Sequence, residues 1–279
     1  MEPATEPILG YIPYLNCIPF FHHLKDNGFS GRFVSGVPSE LNQMLQQGVL
    51  DASPSSSFEY ARHWKDYLLL PDHSISSVGR VKSVLFFAPV ELSELAGREI
   101  AITGESATSI NLLRIIFREF YDLHNVTDVV PDVPIETLIK QQKPALLIGD
   151  RALRLTTQLP SGMQVFDLGE IWYQQTGLPF VFALWMIHRN ALDRFPLELA
   201  ELGQQLLQSR EQLIKDPYPI AKTVAEKVGL DVETVVNYWQ TIDYNLGKEH
   251  IQSLQLFFQL CKKYNLLEEE PELNFWRQV

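Results

Sequence analysis

Two hydroxyl-rich clusters stand where this 279-residue chain could do chemistry on an anion: Thr103-Gly104-Glu105-Ser106-Ala107-Thr108-Ser109 and Ser53-Pro54-Ser55-Ser56-Ser57. Each follows a short apolar run and precedes a helical pattern. The first N–H groups of a helix have no partner inside it, and the helix dipole leaves that end partly positive. A turn of this kind can hold a carboxylate with no Lys or Arg beside it. The local alternative is that Ser106 or Thr108 only caps its helix, worth about 1 kcal/mol. Recurrence of the pattern favours a ligand. Two such turns facing across a cleft would grip a small organic anion, through Ser55, Ser56 and Ser57 on one side and Ser106, Ala107, Thr108 and Ser109 on the other.

Other chemistries find no footing. The histidines at 22, 23, 63, 73, 124, 188 and 250 show no spacing with carboxylates or cysteines that suits a metal. There is no phosphate loop or dinucleotide fingerprint, and Gly104-Glu105-Ser106-Ala107 lacks the final Gly of a nucleophile elbow. Neither a metal nor a cofactor is expected. A net charge of −11 without any Lys/Arg-rich run argues against nucleic acid or an anionic membrane as partner. No stretch reaches the roughly 18 apolar residues of a membrane span. Residues 1–7 carry acids and two prolines where a secretory signal has basic residues and an apolar core. Cys17 and Cys261 are too few and too far apart for a disulfide framework. A cytoplasmic location is the expectation.

The elements that position the clusters alternate. Strands are predicted at 8–12, 32–35 and 49–53, with helices at 17–25 and 38–46 between them. Pro38 suits a first helical turn and Gly48 closes that helix. Residues 67–89 read as extended chain crossing between units. A second series follows, with strands at 99–102, 126–130 and 145–148 and helices at 110–121 and 134–142. Apolar runs at 166–168 and 180–187 come next, and 192–267 is almost wholly helical, with Ile251, Leu254, Phe258 and Cys261 on one face. At this length two domains are expected. The economical architecture is α/β, two lobes joined by crossing strands with the ligand at the carboxyl ends of the sheets.

Six blocks carry a family resemblance: Tyr14-Leu15-Asn16-Cys17-Ile18-Pro19, Gly36-Val37-Pro38-Ser39-Glu40-Leu41-Asn42, the segment from Leu50 through the serine cluster to Ala61, Ser76-Ser77-Val78-Gly79-Arg80-Val81-Lys82-Ser83-Val84, Ile148-Gly149-Asp150, and Thr176-Gly177-Leu178-Pro179-Phe180-Val181-Phe182-Ala183. In this order they resemble the chorismate dehydratases of the futalosine route to menaquinone. The resemblance implies a fold like the type II periplasmic binding proteins, each lobe a mixed sheet flanked by helices. We expect residues 1–88 with 188–279 to form lobe I, residues 89–187 to form lobe II, and the tail after Leu192 to pack on lobe I. It also implies a lyase that removes water from chorismate to give 3-[(1-carboxyvinyl)oxy]benzoate.

That elimination makes the ring aromatic, so the enzyme must hold the substrate, remove one proton and help hydroxide leave. Charge building on the ring carboxylate would be met by fixed N–H and hydroxyl donors such as those at 106–109. Asn16, beside the first strand, is the candidate catalytic residue. An amide is not a base at neutral pH, so Asn16 would orient the substrate while the enolpyruvyl carboxylate takes the proton; a helix-capping role for Asn16 stays open, as does a protein base. Ser83 on an alternating strand, Gly149 and Asp150 after a strand end, and Thr176, Gly177 and Phe180 before the return strand complete the expected lining. Ser83 could equally face solvent, Asp150 cap a helix, and Thr176-Gly177 form a turn. Two rival functions remain: a dihydroxynaphthoate synthase of the same route, which calls for a larger cleft and a base such as His at its mouth, and a cytoplasmic sensor that closes on an aromatic carboxylate without changing it.

Overall fold

The computed structural model describes residues 5–276. The first four residues, part of the segment read for an export signal, and residues 277–279, the end of the expected lobe I, lie outside them.

The chain runs β1 (Ile8–Tyr11), α1 (Ile18–Phe21), β2 (Arg32–Ser35), α2 (Pro38–Gln46), β3 (Ala52–Ser56), α3 (Ser57–His63) and β4 (Tyr67–Ser77). It continues through β5 (Val84–Ala88), β6 (Glu99–Ile102), α4 (Ala107–Ile115), β7 (Thr127–Val129), α5 (Ile135–Lys140), β8 (Ala145–Ile148), α6 (Gly149–Thr156), β9 (Gln164–Asp167), α7 (Leu168–Thr176) and β10 (Phe180–His188). The tail is α8 (Ala191–Arg194), α9 (Pro196–Lys215), α10 (Tyr218–Val228), α11 (Val232–Thr241) and α12 (Lys248–Lys263). The expected helix at 17–25 keeps one helical turn and then loosens into turns. The helix expected at 110–121 starts at Ala107, with Ser106 as its cap, and widens into a π-turn over Ile116–Phe120.

Two five-stranded sheets result, ordered β2-β1-β3-β10-β4 and β7-β6-β8-β5-β9. In each, one strand runs against its two neighbours: β10 in the first sheet and β5 in the second. The topology requires this. A chain arriving from the other sheet enters at the cleft, whereas the other strands end there. Both incoming strands are buried throughout or nearly so, which is why β10 reads as a continuous apolar run and why the alternation expected around Ser83 does not continue through Val84–Ala88.

The chain therefore changes sheets between Ser77 and Val84, and again between Asp167 and Phe180. Val84–Ala88 lies in the second sheet and Phe180–His188 in the first, on the far side of the boundaries expected at 88/89 and 187/188. Sequence hydropathy cannot show which sheet a crossing strand joins. The tail also differs from expectation. α9 packs on α1 and β4, but α12 reaches β10, α3 and α4, and the Trp172 indole of α7 donates to Ser253 Oγ at 3.0 Å. The buried face of α12 includes Phe257, against the rings of Trp172 and Phe180, and leaves Ile251 only half-buried. The tail thus braces both lobes. Among the described residues no helix is long and apolar enough to cross a membrane, and no group of His, Cys, Asp and Glu could hold a metal.

Candidate active site

A cavity of about 630 Å³, counted out to its open mouth, lies between the two sheets. Its walls are built where strands end: the loop after β1, the β3–α3 turn, the β6–α4 turn, the β8–α6 turn, the crossing between β4 and β5, and β10. This is the carboxyl-end position at which open α/β sheets bind ligands.

The β1 loop is placed by a close approach. A Cβ on Gly10 would sit 2.4 Å from Ser53 Oγ, so only glycine lets β1 lie this tightly against β3. The two strands pair only at Leu9 and Ala52, after which β1 turns away through Tyr14 to Cys17 and opens the cavity beside Ser55 and Ser56. Pro54, which has no N–H to give, falls where β1 no longer pairs. On the other lobe, Gly149 adopts a left-handed backbone (φ +66°) against the Tyr14 ring, and its N–H donates to Ser83 O at 2.8 Å.

Asn16, Ser55, Ser56, Ser83, Ser106, Ser109 and Gly149 all line the cavity. Asn16 Oδ1 and Ser55 Oγ are buried polar atoms with no hydrogen-bond partner in the protein. Ser106 caps α4, its Oγ accepting from Ser109 N at 3.3 Å, and Ser56 caps α3 in the same way through Glu59 N at 3.3 Å. The capping and lining roles thus coexist. Ala107 N and Thr108 N, the first of α4, have no intrahelical acceptor. Ser83 Oγ accepts from the buried Tyr238 hydroxyl at 2.8 Å, so it does not face solvent.

Seven expected residues are absent from the lining. Ser57 and Thr108 meet each other instead: Thr108 Oγ1 accepts from Phe58 N at 2.9 Å and lies 3.3 Å from Ser57 Oγ, which donates to Val181 O at 2.9 Å. These two hydroxyls join the lobes behind the cavity. Asp150 holds Leu15 N at 3.2 Å through Oδ1, an acceptor already engaged. Thr176 and Gly177 finish α7, with Thr176 Oγ1 on Trp172 O at 2.8 Å and Gly177 as its left-handed cap (φ +71°). Phe180 is fully buried between Trp172 and Phe257, ring centroids 5.1 Å from each. Phe182 and Ala183, further along the same strand where its register with β4 shifts between Val181 and Ala183, reach the cavity. Ala107, beyond the cap, packs on the core.

Sequence reasoning missed Tyr14, Cys17, Phe182 and Ala183, although the quoted blocks contain all four; position within a motif was a usable signal. It had none for Tyr238 and Trp239, which reach Ser83 and the Leu15 carbonyl behind the lining from the helical tail. No Lys, Arg or His lines the cavity among the described residues. Arg151, in the first turn of α6, is held by Glu136 at 2.7 and 2.6 Å and by Glu105 at 3.2 Å, and Glu105 also accepts from Tyr14 OH at 3.2 Å. Burial, with the nearby Glu105 carboxylate, raises the Tyr14 phenol. Burial likewise keeps Cys17 a thiol and Tyr238 a phenol, and it pushes the Asp150 carboxyl up to about 6, against the opposing pull of Leu15 N–H and Arg154. The site is neutral, donor-rich and flanked by a reluctant carboxylate.

Against known proteins, the family described as Menaquinone biosynthesis matches residues 7–263. A chorismate dehydratase of Thermus thermophilus is 32% identical over 269 residues, covering 90% of this chain and 93% of that protein. One from Campylobacter jejuni is 30% identical over 93% of this chain and 99% of its own. Among solved structures, the alkanesulfonate-binding protein SsuA from Xanthomonas axonopodis superposes with a TM-score of 0.74 at 14% identity, each chain covered in full. That likeness shows the two-lobed binding-protein fold.

Proposed function

The chain belongs to the menaquinone-biosynthesis family, and from that premise we propose that it is a hydro-lyase, a chorismate dehydratase, working in the cavity between the lobes. The observation that carries the reading is the pair of unpartnered buried acceptors, Asn16 Oδ1 and Ser55 Oγ, in a cavity lined by hydroxyls from both lobes. Buried polar atoms without partners are costly, roughly 1–3 kcal/mol each, and a polar ligand removes that cost.

Chorismate offers two carboxylates and one hydroxyl. Serine hydroxyls and the first N–H groups of α4 would bind a carboxylate without a cationic side chain. The reaction breaks the C–H bond at the ring carbon that bears the ether oxygen. Its electron pair spreads through the ring double bond to the ring carboxylate, where the α4 donors stabilise it. The neighbouring C–OH bond then breaks, the ring becomes aromatic, and the lost proton and hydroxide leave as water. The elimination is redox-neutral and calls for no cofactor. Asn16 orients the hydroxyl-bearing edge of the ring while the enolpyruvyl carboxylate receives the proton. The absence of a lining histidine among the described residues disfavours the synthase alternative, for which a base at the mouth was expected.

Incubating the protein with chorismate and following the benzoate ether by chromatography tests the reading. Catalytic conversion is expected. Binding without conversion would make the protein a sensor, and conversion of a cyclic futalosine instead would make it the synthase; either overturns the proposal.

A further inference from the structure

Leu15, the residue before Asn16, is held on both of its peptide planes by side chains from distant parts of the chain. Its N–H donates to Asp150 Oδ1 at 3.2 Å, from the second lobe, and its carbonyl accepts the Trp239 indole N–H at 2.7 Å, from α11. That carbonyl belongs to the peptide bond that carries Asn16 N. Cys17 N closes the turn on Tyr14 O at 3.0 Å. Two soft dihedrals at Leu15 set one plane against the other, so fixing both planes fixes where the Asn16 side chain starts. Leu15 and Trp239 are buried almost completely. Asn16 Oδ1, by contrast, has no partner that could orient it.

We propose that Asp150 and Trp239 are positioning residues that clamp Leu15 and thereby aim Asn16 into the cavity; this rests on the reading of Asn16 as the group that orients the substrate. Asp150 acts as a hydrogen-bond acceptor here and not as the base of the reaction. Leu15 follows a strand of the first sheet and Asp150 a strand of the second, so the clamp is complete only while the lobes lie together. Separation of the lobes releases one peptide plane and leaves Asn16 unaimed. Closure around the substrate and assembly of the catalytic geometry become one event.

The test compares D150A, D150N and W239F in the full chain, by steady-state turnover of chorismate and by hydrogen exchange of a peptide covering residues 12–18. D150A and W239F are expected to lower kcat by on the order of 10²-fold, the scale of a 1 Å misplacement, with KM little changed. D150N keeps a carbonyl acceptor for Leu15 N–H and should restore kcat to within about tenfold of the parent, since a neutral hydrogen bond has roughly half the strength of a charged one. Exchange in the 12–18 peptide should quicken in D150A and return towards the parent rate in D150N. If D150N is as inactive as D150A, the carboxylate itself handles the proton and the proposal falls. If neither D150A nor W239F alters kcat or exchange, the clamp is idle and the proposal also falls. A parent protein that leaves chorismate untouched would overturn the functional reading alone, because the exchange measurement decides the clamp without substrate.

Discussion

Replacing Asp150 by Asn should stabilise the folded protein at neutral pH and leave its stability almost unchanged at about pH 3. The carboxyl has an ordinary value of 3.8, and burial lifts it to about 6 in the folded chain. Between those values the folded state binds more protons than the unfolded state, so folding stability falls as pH rises through the window. Above it the full cost of holding a carboxylate in a poorly solvated place is present. The gap between the two pKa values corresponds to about 3 kcal/mol at 1.36 kcal/mol per tenfold in proton affinity. Asn has the shape of the neutral acid and keeps a carbonyl acceptor for Leu15 N–H, but it carries no titrating group. The difference between Asp150→Asn and the parent should therefore be near zero at about pH 3, grow from about pH 4 to about pH 6 and level off at about 3 kcal/mol above about pH 7. Urea unfolding followed by circular dichroism at closely spaced pH values reads it directly. A difference that is constant with pH, or one that shrinks as pH rises, would refute the account of Asp150 as a desolvated carboxylate.

Three further outcomes follow from the site. Asn16→Ala should lower chorismate turnover by at least about 10²-fold, as removal of a positioned polar group does elsewhere, while affinity for a product analogue measured by calorimetry falls less than tenfold; equal turnover would remove Asn16 from the mechanism. Thr108→Val keeps the side-chain shape but takes the acceptor from Phe58 N–H, bonded at 2.9 Å. Water can satisfy that N–H when the lobes part, so the cost of about 1–3 kcal/mol falls on the closed form and should weaken the product analogue roughly 5- to 150-fold; unchanged affinity would mean that the contact plays no part in closure. Ser83→Ala leaves the fully buried Tyr238 hydroxyl without its acceptor and should lower unfolding free energy by about 1–3 kcal/mol, with Tyr238→Phe in the same background recovering part of the loss.

Much of the architecture was legible because the deciding interactions are local. Ser106 and Ser56 cap the helices that follow them, and each cap needs only a residue three positions on. The alternation of strand and helix, and the apolar run at 180–187, likewise reflect burial that each segment carries in its own residues. Ser55, Ser56, Ser106 and Ser109 could be named because they stand at strand-to-helix turns, and Asn16, Ser83 and Gly149 because they fall in the blocks that carry the family resemblance.

What the sequence could not decide was which hydroxyl meets which neighbour. Ser55 and Ser57 differ by two positions, yet one is left without a partner in the cavity while the other is bound to Val181 and Thr108; the end of the strand and the start of α3 separate them. Thr176 and Phe180 turned to α7 and to the aromatic packing around Trp172. The lobe boundaries moved because each crossing strand pairs on both sides with strands of the sheet it enters, β10 with β3 and β4 and β5 with β8 and β9. Residues 15, 150 and 239 are neighbours only through the packing of β1, β8 and α11. Caps and periodicity act over three or four residues and are written along the chain, whereas a contact across 135 or 224 residues exists only once both lobes and the tail have packed.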